Sequence, residues 1–344
     1  MAANPTDLPG VDEALLGFLT ARASGGGEVD ILRGEIERVV RSGGKRLRPA
    51  FCVWGYRAGG GSDDDSIARV AGALELLHTF AIIHDDVMDR SPLRRGSPTT
   101  HRWFTATEGL RGDLDHFGEG AAILAGDLAM ALADELWWSS GFEAAALLDA
   151  VRPYHAMRAE VIGGQYLDLL AAARGSATPE ETRAISVLKS GRYTVERPLE
   201  IGAALSGAHE AVRESLRAFG APLGEAFQLR DDVLGAFGDP GTTGKPADSD
   251  LREGKQTLLI ALARKAADPQ QAQVLSRLGD PDLTDAEADA MRDVLRDTGA
   301  LEQVLETIDG LLEQSYTALA RANVPREAAE ALDVLARDAV VREV

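Results

Sequence analysis

The spacing of apolar residues is the feature of this sequence that most restricts its fold. Apolar side chains recur every three or four residues along most of the chain, which places them on one face of an α-helix. One such face is formed by Val70, Leu74, Leu77 and Ala81, and another by Val304, Ile308, Leu311 and Leu312. We find no convincing run of alternating residues that would predict a strand. The sequence therefore predicts an all-α protein.

Breaks rich in glycine, proline and polar residues separate the apolar segments. They lie at 24–27, 59–65, 109–118, 174–179, 238–244 and 279–282. The segments between them are mostly long enough for one or more helices, so we expect a bundle of about ten or more helices. No break is long enough to divide two domains, and we see no internal repeat of fixed period. We therefore expect a single domain over residues 1–344.

Charge and cysteine content narrow the classes of function and compartment. The net charge of −19 argues against nucleic acid as a partner, because binding to phosphate backbones needs broad basic surfaces. The single cysteine, Cys52, rules out an internal disulfide and fits a reducing compartment. Residues 1–8 lack the pattern of a signal peptide, and the longest apolar runs, such as 144–148, are too short to span a bilayer. We expect a cytoplasmic protein without a membrane span.

The most informative segment is an apolar run that ends in three aspartates, Asp85, Asp86 and Asp89. On a helix, residues 85 and 89 lie about 40° apart around the axis and about 6 Å apart along it, so their carboxylates repel unless a cation lies between them. Oxygen ligands favour a hard cation such as Mg²⁺. A solvated helix end is the alternative interpretation. Acids placed at the end of a buried stripe favour the metal site.

A second acidic pair, Asp231 and Asp232, also follows an apolar segment, which contains Phe227 and Leu229. Two motifs of this kind make solvated surface charge a poor explanation for either of them. The recurrence predicts two helices that face each other and pool their carboxylates around shared metal ions.

Basic residues accompany these acids, although the chain as a whole is strongly acidic. They form three groups, with Lys45, Arg46 and Arg48 beside Gly43 and Gly44, then Arg94 and Arg95, then Lys245 and Lys255. Arginine forks bind diphosphate oxygens through paired hydrogen bonds, and glycines allow close approach of the backbone to an anion. Carboxylates for a metal and cations for the remaining charge together predict a magnesium–diphosphate site.

These motifs, in this order, resemble the polyprenyl synthetase family of trans-isoprenyl diphosphate synthases. The segments that carry the resemblance are Gly44-Lys-Arg-Leu-Arg-Pro49, Asp85-Asp-Val-Met-Asp89 followed by Arg94-Arg-Gly96, Gly164-Gln-Tyr-Leu-Asp168 and Phe227-Gln-Leu-Arg-Asp-Asp232. They span about residues 40–260, whereas only helical periodicity links the rest of the chain to the family. The resemblance implies a helical bundle around a central cavity, a homodimer, and condensation of isopentenyl diphosphate with an allylic diphosphate.

The resemblance also implies a role for each matching residue. The metal ligands are Asp85, Asp86 and Asp89 for two Mg²⁺ ions, and Asp231 and Asp232 for a third. Contacts to isopentenyl diphosphate are assigned to Lys45, Arg48, His78 and Arg95. Contacts around the allylic diphosphate are assigned to Arg94, Lys189, Ser190, Gln228, Lys245 and Lys255. The residues expected to matter most for turnover are Asp85, Asp89, Asp231, Lys189 and Lys245. His78 taken alone is more often a packed core histidine, and only the resemblance makes it a ligand contact.

The chain departs from the family pattern at two places. The second motif usually ends in a fifth-position aspartate, where this chain has Gly235. Asp239 replaces that acid only if the helix continues, which Gly238 and Pro240 disfavour. The family commonly has Lys-Thr at the position of Lys189-Ser190, and the serine retains a hydroxyl group. We expect activity to persist, because Asp231 is present.

The resemblance further implies a product length. The residues one turn before the first motif are Phe80 and Ala81, and in the family large residues at both positions give short products. One aromatic and one small residue resemble synthases of geranylgeranyl diphosphate (C20), with farnesyl diphosphate (C15) as the alternative. Two other functions remain open, namely a class I terpene cyclase and a non-catalytic subunit of a partner synthase. The two basic segments argue against the cyclase, and the intact Asp-Asp pairs argue against the silent subunit.

Overall fold

The structure of the protein is a computed structural model, and it describes residues 4–22, 27–62, 64–238 and 248–340. These residues fall into two compact units, one of 1–150 with 201–208 and the other of 151–200 with 209–344. Nearly all of the regular structure is helical, so the all-α prediction is confirmed. The single-domain expectation stays a prediction.

In the part of the first unit that the structure describes, six helices and one short hairpin precede α7. Its elements are α1 (Pro9–Ala21), α2 (Asp30–Arg41), α3 (Leu47–Ala58), α4 (Asp65–Met88), β1 (Leu93–Arg94), β2 (Ser97–Pro98), α5 (Thr100–Thr105) and α6 (Leu114–Trp138). Helices α7 (Ala144–Arg174) and α9 (Arg197–Leu205) have residues in both units. The hairpin was not predicted, because two-residue strands are too short to show a period of two.

Helix α4 forms the core of the first unit. Its N-terminus is capped by the side chain of Asp64, which accepts hydrogen bonds from the backbone N–H groups of Ser66 and Ile67. Val70, Leu74 and Leu77 are fully buried, as the apolar spacing predicts. The helix packs mainly against α6. Its C-terminal end therefore leaves the core at the first group of aspartates.

By length and composition alone, α4 is long and apolar enough to cross a membrane, although it contains no uninterrupted apolar run of that length. Of its most apolar stretch, 67% is buried inside the protein. Burial of this kind is what a core helix of a soluble protein shows, since a membrane helix exposes its apolar side chains to lipid.

The second unit is built from the remaining helices around α10. Its further elements are α8 (Pro179–Ser186), a π-helix (Val187–Glu196), α10 (Glu210–Phe237), α11 (Ser249–Glu253), α12 (Leu258–Ala266), α13 (Pro269–Leu275), α14 (Asp285–Asp297), α15 (Ala300–Arg321) and α16 (Arg326–Val340). Helix α10 packs against α15 and the π-helix. The apolar face predicted at 304–312 is buried within α15.

Candidate active site

The first group of aspartates lies on the last turn of α4, where helical geometry gives its residues different surroundings. The backbone N–H of Asp89 donates to the carbonyl oxygen of Asp85 at 2.8 Å, so the two acids are one helical turn apart, as predicted. Both are partly exposed, whereas Asp86 is only 3% exposed. The partly exposed pair is the pair that can reach a ligand in solution.

Arg94 binds the buried member of this group. Its Nε donates to Asp86 Oδ1 at 2.7 Å, and its Nη2 lies 3.5 Å from Asp85 Oδ2. Burial disfavours the charged guanidinium, but the hydrogen bond to Asp86 and the charges of Asp86, Asp85 and Asp89 more than offset this, so the pKa of Arg94 is raised. The structure thus gives Asp86 an arginine partner and places that arginine beside Asp85.

A two-residue turn aims Arg94 and Arg95 at different groups. Arg94 pairs with Ser97 across the hairpin, and the turn residues Arg95 and Gly96 have φ angles of 52° and 74°. Positive φ at both central positions is what a type I′ hairpin turn requires. Arg95 then packs on Gly44, where an added Cβ would lie 2.9 Å from its Nη2. The glycine before Lys45 therefore makes room for a guanidinium.

Three arginines near the first aspartates have left-handed backbone conformations. The φ angles are 48° at Arg46, 53° at Arg90 and 52° at Arg95. Such conformations cost about 1–2 kcal/mol for each non-glycine residue, so they persist where surrounding contacts require them. At Arg46 those contacts are clear, because its side chain binds Glu75 at 2.5 Å and Asp12 at 3.0 Å. Arg46 therefore has a structural role.

His78 lies within the electrostatic reach of four arginines. Burial is the main cause that holds its pKa well below the usual range, and the charges of Arg48, Arg95, Arg94 and Arg46 add to it in that order. Burial also lowers the pKa of Arg95, an effect that Glu75 opposes and the other arginines reinforce. The imidazole is therefore neutral at physiological pH and sits in a strongly positive potential. The structure brings together Arg48, His78, Arg94 and Arg95, while Lys45 is an exposed residue two positions before the start of α3.

Phe80 and Ala81 differ in their surroundings on α4. Phe80 is 8% exposed, and its ring packs edge-to-face on His84 with the ring centroids 4.8 Å apart. His84 Nε2 donates to the carbonyl oxygen of Ile123 at 3.0 Å, and an added Cβ at Gly126 would lie 2.3 Å from the imidazole. Ala81 is partly exposed. Gly126 on α6 thus leaves room for the imidazole of His84, against which the ring of Phe80 packs.

The second group of aspartates lies on α10 in the second unit. Asp231 is partly exposed, whereas Asp232 is 8% exposed and accepts a hydrogen bond from Gln228 Nε2 at 2.7 Å. Burial, followed by the charge of Asp250, raises the pKa of Asp232 to about 8, although Gln228 and Lys255 favour the charged form. A cation bound here would relieve the repulsion between Asp232 and the neighbouring acids and would favour the ionised form of Asp232.

Asp250 was not singled out from the sequence, although it lies beside this group. It is 9% exposed on α11, and its Oδ1 accepts a hydrogen bond from Lys255 Nζ at 3.1 Å. The sequence contained a signal for it, since an acid stands five residues before the predicted ligand Lys255. The predicted ligand Lys245 lies outside the described residues, as does Asp239. Helix α10 ends at Phe237, as the glycine and proline that follow predict.

Lys189 and Ser190 lie in the π-helix, and the segment 164–168 of α7 explains the position of the lysine. Lys189 Nζ donates to Asp168 Oδ2 at 2.6 Å. An added Cβ at Gly164 would lie 2.4 Å from the backbone nitrogen of Lys189, so only glycine allows α7 to come this close. Short π-helical segments are frequent at functional sites. The glycine and the aspartate of this motif together fix the lysine.

Among the described residues, no three His, Cys, Asp or Glu side chains form a ready-made metal site. The donors present are carboxylate oxygens in pairs, which fits Mg²⁺, an ion that is usually bound by one or two carboxylates together with substrate phosphates and water.

Comparison with known proteins identifies the same family as the sequence motifs. The model of the polyprenyl synthetase family matches residues 29–296, a wider range than the predicted 40–260. The crystal structure of geranylgeranyl pyrophosphate synthase from Corynebacterium glutamicum, complexed with isoprenyl diphosphate and magnesium, is similar with a TM-score of 0.93 and 36% identity, covering 97% of this chain and 98% of that one. Geranylfarnesyl diphosphate synthase of Aeropyrum pernix is 33% identical, over 89% of this chain and 92% of its own. (2E,6E)-Farnesyl diphosphate synthase of Mycobacterium tuberculosis is 32% identical, over 87% and 80%. This chain belongs to the polyprenyl synthetase family.

Proposed function

We propose that this protein is a Mg²⁺-dependent prenyltransferase that condenses isopentenyl diphosphate with allylic diphosphates of C5 to C15. The observation that carries the proposal is the end of α4, where the partly exposed Asp85 and Asp89 stand beside Arg94, and Arg94 and Arg95 share a positive potential with the neutral His78. Carboxylates for a metal and guanidinium groups for a diphosphate are thus adjacent in one compact unit.

We infer that Asp85 and Asp89 hold two Mg²⁺ ions and that Asp231, with Asp232, holds a third. The donor set supports this, because it consists of hard oxygen atoms and because burial and the charge of Asp250 raise the pKa of Asp232, a penalty that a bound cation would offset. When bound, the ions withdraw electron density from the allylic diphosphate and neutralise its charge. Asp86 contributes mainly by positioning Arg94, to which it is hydrogen-bonded.

In this mechanism, Arg48, Arg95, Lys45 and His78 hold the diphosphate of isopentenyl diphosphate. A neutral His78 donates a hydrogen bond to an oxygen without adding a charge to be buried. The allylic diphosphate is held by Arg94, Lys189, Ser190, Gln228, Lys245 and Lys255. The cationic members of this set, Arg94, Lys189, Lys245 and Lys255, stabilise the negative charge that develops on the leaving diphosphate.

The reaction needs no nucleophilic side chain. The allylic C–O bond breaks and its electron pair leaves with the diphosphate, while the alkene of isopentenyl diphosphate forms the new C–C bond. A proton is then lost to the departing diphosphate, which restores the double bond and balances the charge. Cys52 fits this account, since burial raises the pKa of its thiol far above the usual range and leaves it unreactive.

We propose geranylgeranyl diphosphate as the product, with farnesyl diphosphate as the alternative. The buried, supported ring of Phe80 and the small Ala81 favour a tail pocket of intermediate depth. Relatives of similar identity are named for products one isoprene unit longer and one shorter, so the family alone does not fix the length.

We further propose a cytoplasmic homodimer. Support for the dimer comes from α6, which exposes Phe117, Ile123, Leu124 and Trp138. Large apolar side chains that share one helix are typical of a contact surface with another chain. Trp137, the neighbour of Trp138, is fully buried instead.

The test is a product assay with the purified protein, Mg²⁺, isopentenyl diphosphate and each allylic primer in turn. A metal-dependent C20 product supports the proposal, and Asp85→Ala should lower turnover at least 100-fold, on the order of the loss of one key electrostatic group, without lowering thermal stability. Cyclic hydrocarbons formed without isopentenyl diphosphate would favour the cyclase. No product from any primer would favour a non-catalytic subunit.

A further inference from the structure

The side-chain space at position 235 is occupied by Asp250. An ideal Cβ built on Gly235 would lie 2.0 Å from Asp250 Oδ2 and 2.4 Å from its Cγ. Carbon atoms do not approach an oxygen this closely without bonding, so no side chain is compatible with Asp250 in its present place. The carboxylate of Asp250 can therefore occupy this position only because residue 235 is glycine.

Position 235 is the place at which an acid of the second motif is expected. It lies one turn after Asp231 on α10, on the same helical face. The carboxylate of Asp250 thus enters from α11 the volume that a side chain at position 235 would take. The negative charge missing from α10 is present in the structure, but it comes from another helix.

The packing of α11 fixes Asp250 independently of any ligand. Leu251 is 1% exposed, and its carbonyl oxygen accepts a hydrogen bond from the backbone N–H of Gly279 at 2.9 Å. Arg252 binds Asp248 at 2.7 Å and Asp285 at 2.6 Å. A short helix held on both sides in this way presents Asp250 towards α10.

The two oxygens of Asp250 have different surroundings. Oδ1 accepts from Lys255 Nζ, which also lies 2.8 Å from Glu253 Oε2. Oδ2 is the atom nearest to the Cβ position of residue 235. Asp250 therefore connects a lysine assigned to the diphosphate with the face of α10 that carries Asp231.

We propose that Asp250 and Gly235 form a matched pair in which Asp250 supplies the third acid of the second motif. The inference rests on the proposed function and deepens it, because it names the residue that replaces the fifth-position aspartate. It also predicts that the acid can be moved back to α10 if Asp250 is removed.

The test measures metal binding without turnover. Mn²⁺ is titrated into the full-length protein with inorganic diphosphate present, and bound ion is followed by electron paramagnetic resonance. We expect Asp250→Asn and Asp250→Ala to weaken one class of bound ion about tenfold, the lower range for loss of a group that supports a metal site. The double variant Gly235→Asp with Asp250→Ala should recover most of that loss. Gly235→Asp alone should not bind more tightly than the wild type, since two carboxylates then compete for one volume.

Asp293→Asn is the matched control, because it removes an exposed acid of α14 whose ion pair is with Arg296 of the same helix, and it should leave Mn²⁺ binding unchanged. Circular dichroism and the thermal midpoint show whether each variant is folded, and Asp250→Asn keeps the side-chain volume if Asp250→Ala is unstable. Wild-type affinity in a folded Asp250→Asn variant overturns the inference, as does a double variant no better than Asp250→Ala. A wild-type protein that binds no Mn²⁺ with diphosphate overturns the proposed function as well.

Discussion

Replacement of Gly164 by alanine should displace Lys189 and destabilise the second unit. The added Cβ would lie 2.4 Å from the backbone nitrogen of Lys189 and 2.7 Å from its Cα. Backbone atoms of a packed helix cannot rotate away as a side chain can, so α7 and the π-helix must move apart. The hydrogen bond of 2.6 Å between Lys189 and Asp168 crosses this contact and should lengthen with it.

Gly163 provides a control on the same helix, since an added Cβ there has no atom within 4 Å. Alanine in a helix interior is favoured over glycine by roughly 0.5–1 kcal/mol, and both variants gain this amount. Overpacking costs about 1–3 kcal/mol, so Gly164→Ala should unfold about 1–3 kcal/mol more easily than Gly163→Ala. The difference between the two variants isolates the clash.

Urea unfolding of both variants measures the difference in stability, and steady-state kinetics measures the effect on Lys189. If Lys189 binds the allylic diphosphate, Gly164→Ala should raise KM for the allylic primer more than KM for isopentenyl diphosphate. Gly163→Ala should be at least as stable as the wild type, with unchanged kinetics. The reasoning is refuted if the two alanine variants unfold at the same urea concentration and have the same kinetic constants.

Two further predictions concern product length and pH. Phe80→Ala should deepen the tail pocket and lengthen the product, whereas Gly126→Ala should push His84 towards Phe80 and change the product distribution, both read by chromatography of the dephosphorylated alcohols. Unchanged products in both variants would remove Phe80 from the account of chain length. The pKa of Asp232 is raised to about 8, so without metal its contribution to stability is present below the ordinary pKa of aspartate and is lost as pH rises towards 8. Metal binding needs the ionised form, so the affinity for Mg²⁺ with diphosphate should rise with pH up to about 8, and Asp232→Asn should reduce that dependence, in calorimetric titrations, to the part that comes from ionisation of the diphosphate itself.

The helices were predictable because their buried faces repeat at the helical period. Val70, Leu74 and Leu77 are buried in α4, and the breaks at 59–65 and 174–179 fall where helices end or begin. The boundaries were less predictable. Helix α6 begins at Leu114, inside the predicted break 109–118, because Asp113 caps it by accepting a hydrogen bond from the backbone N–H of His116. A single capping side chain outweighed the local glycine content.

The candidate site was predictable as residue types and spacing, but not as pairs. The sequence placed Asp85, Asp86 and Asp89 in one metal site without showing that Asp86 is buried against Arg94. It also flagged Gly235 as a loss without finding Asp250, since their contact depends on how two helices pack. Spacing along one helix is fixed by its geometry, whereas contacts between helices depend on side-chain packing that a single sequence does not specify.

The proposed binding of diphosphates by a chain of net charge −19 follows from the range of electrostatic forces. Charges in solution are screened over about 8 Å at physiological ionic strength, so most of the acidic surface contributes little at one buried position. Near His78, burial is the main factor that disfavours a proton on the imidazole and lowers its pKa, and the charges of Arg48, Arg95, Arg94 and Arg46 add to it. Arg46 is largely balanced by Glu75 and Asp12, and Arg94 is hydrogen-bonded to Asp86, so each of these two arginines has a carboxylate partner. At the end of α4, Arg94 lies 2.7 Å from Asp86 and 3.5 Å from Asp85, distances at which screening is weak, so the opposite charges needed for a metal and for a diphosphate are held together within one unit.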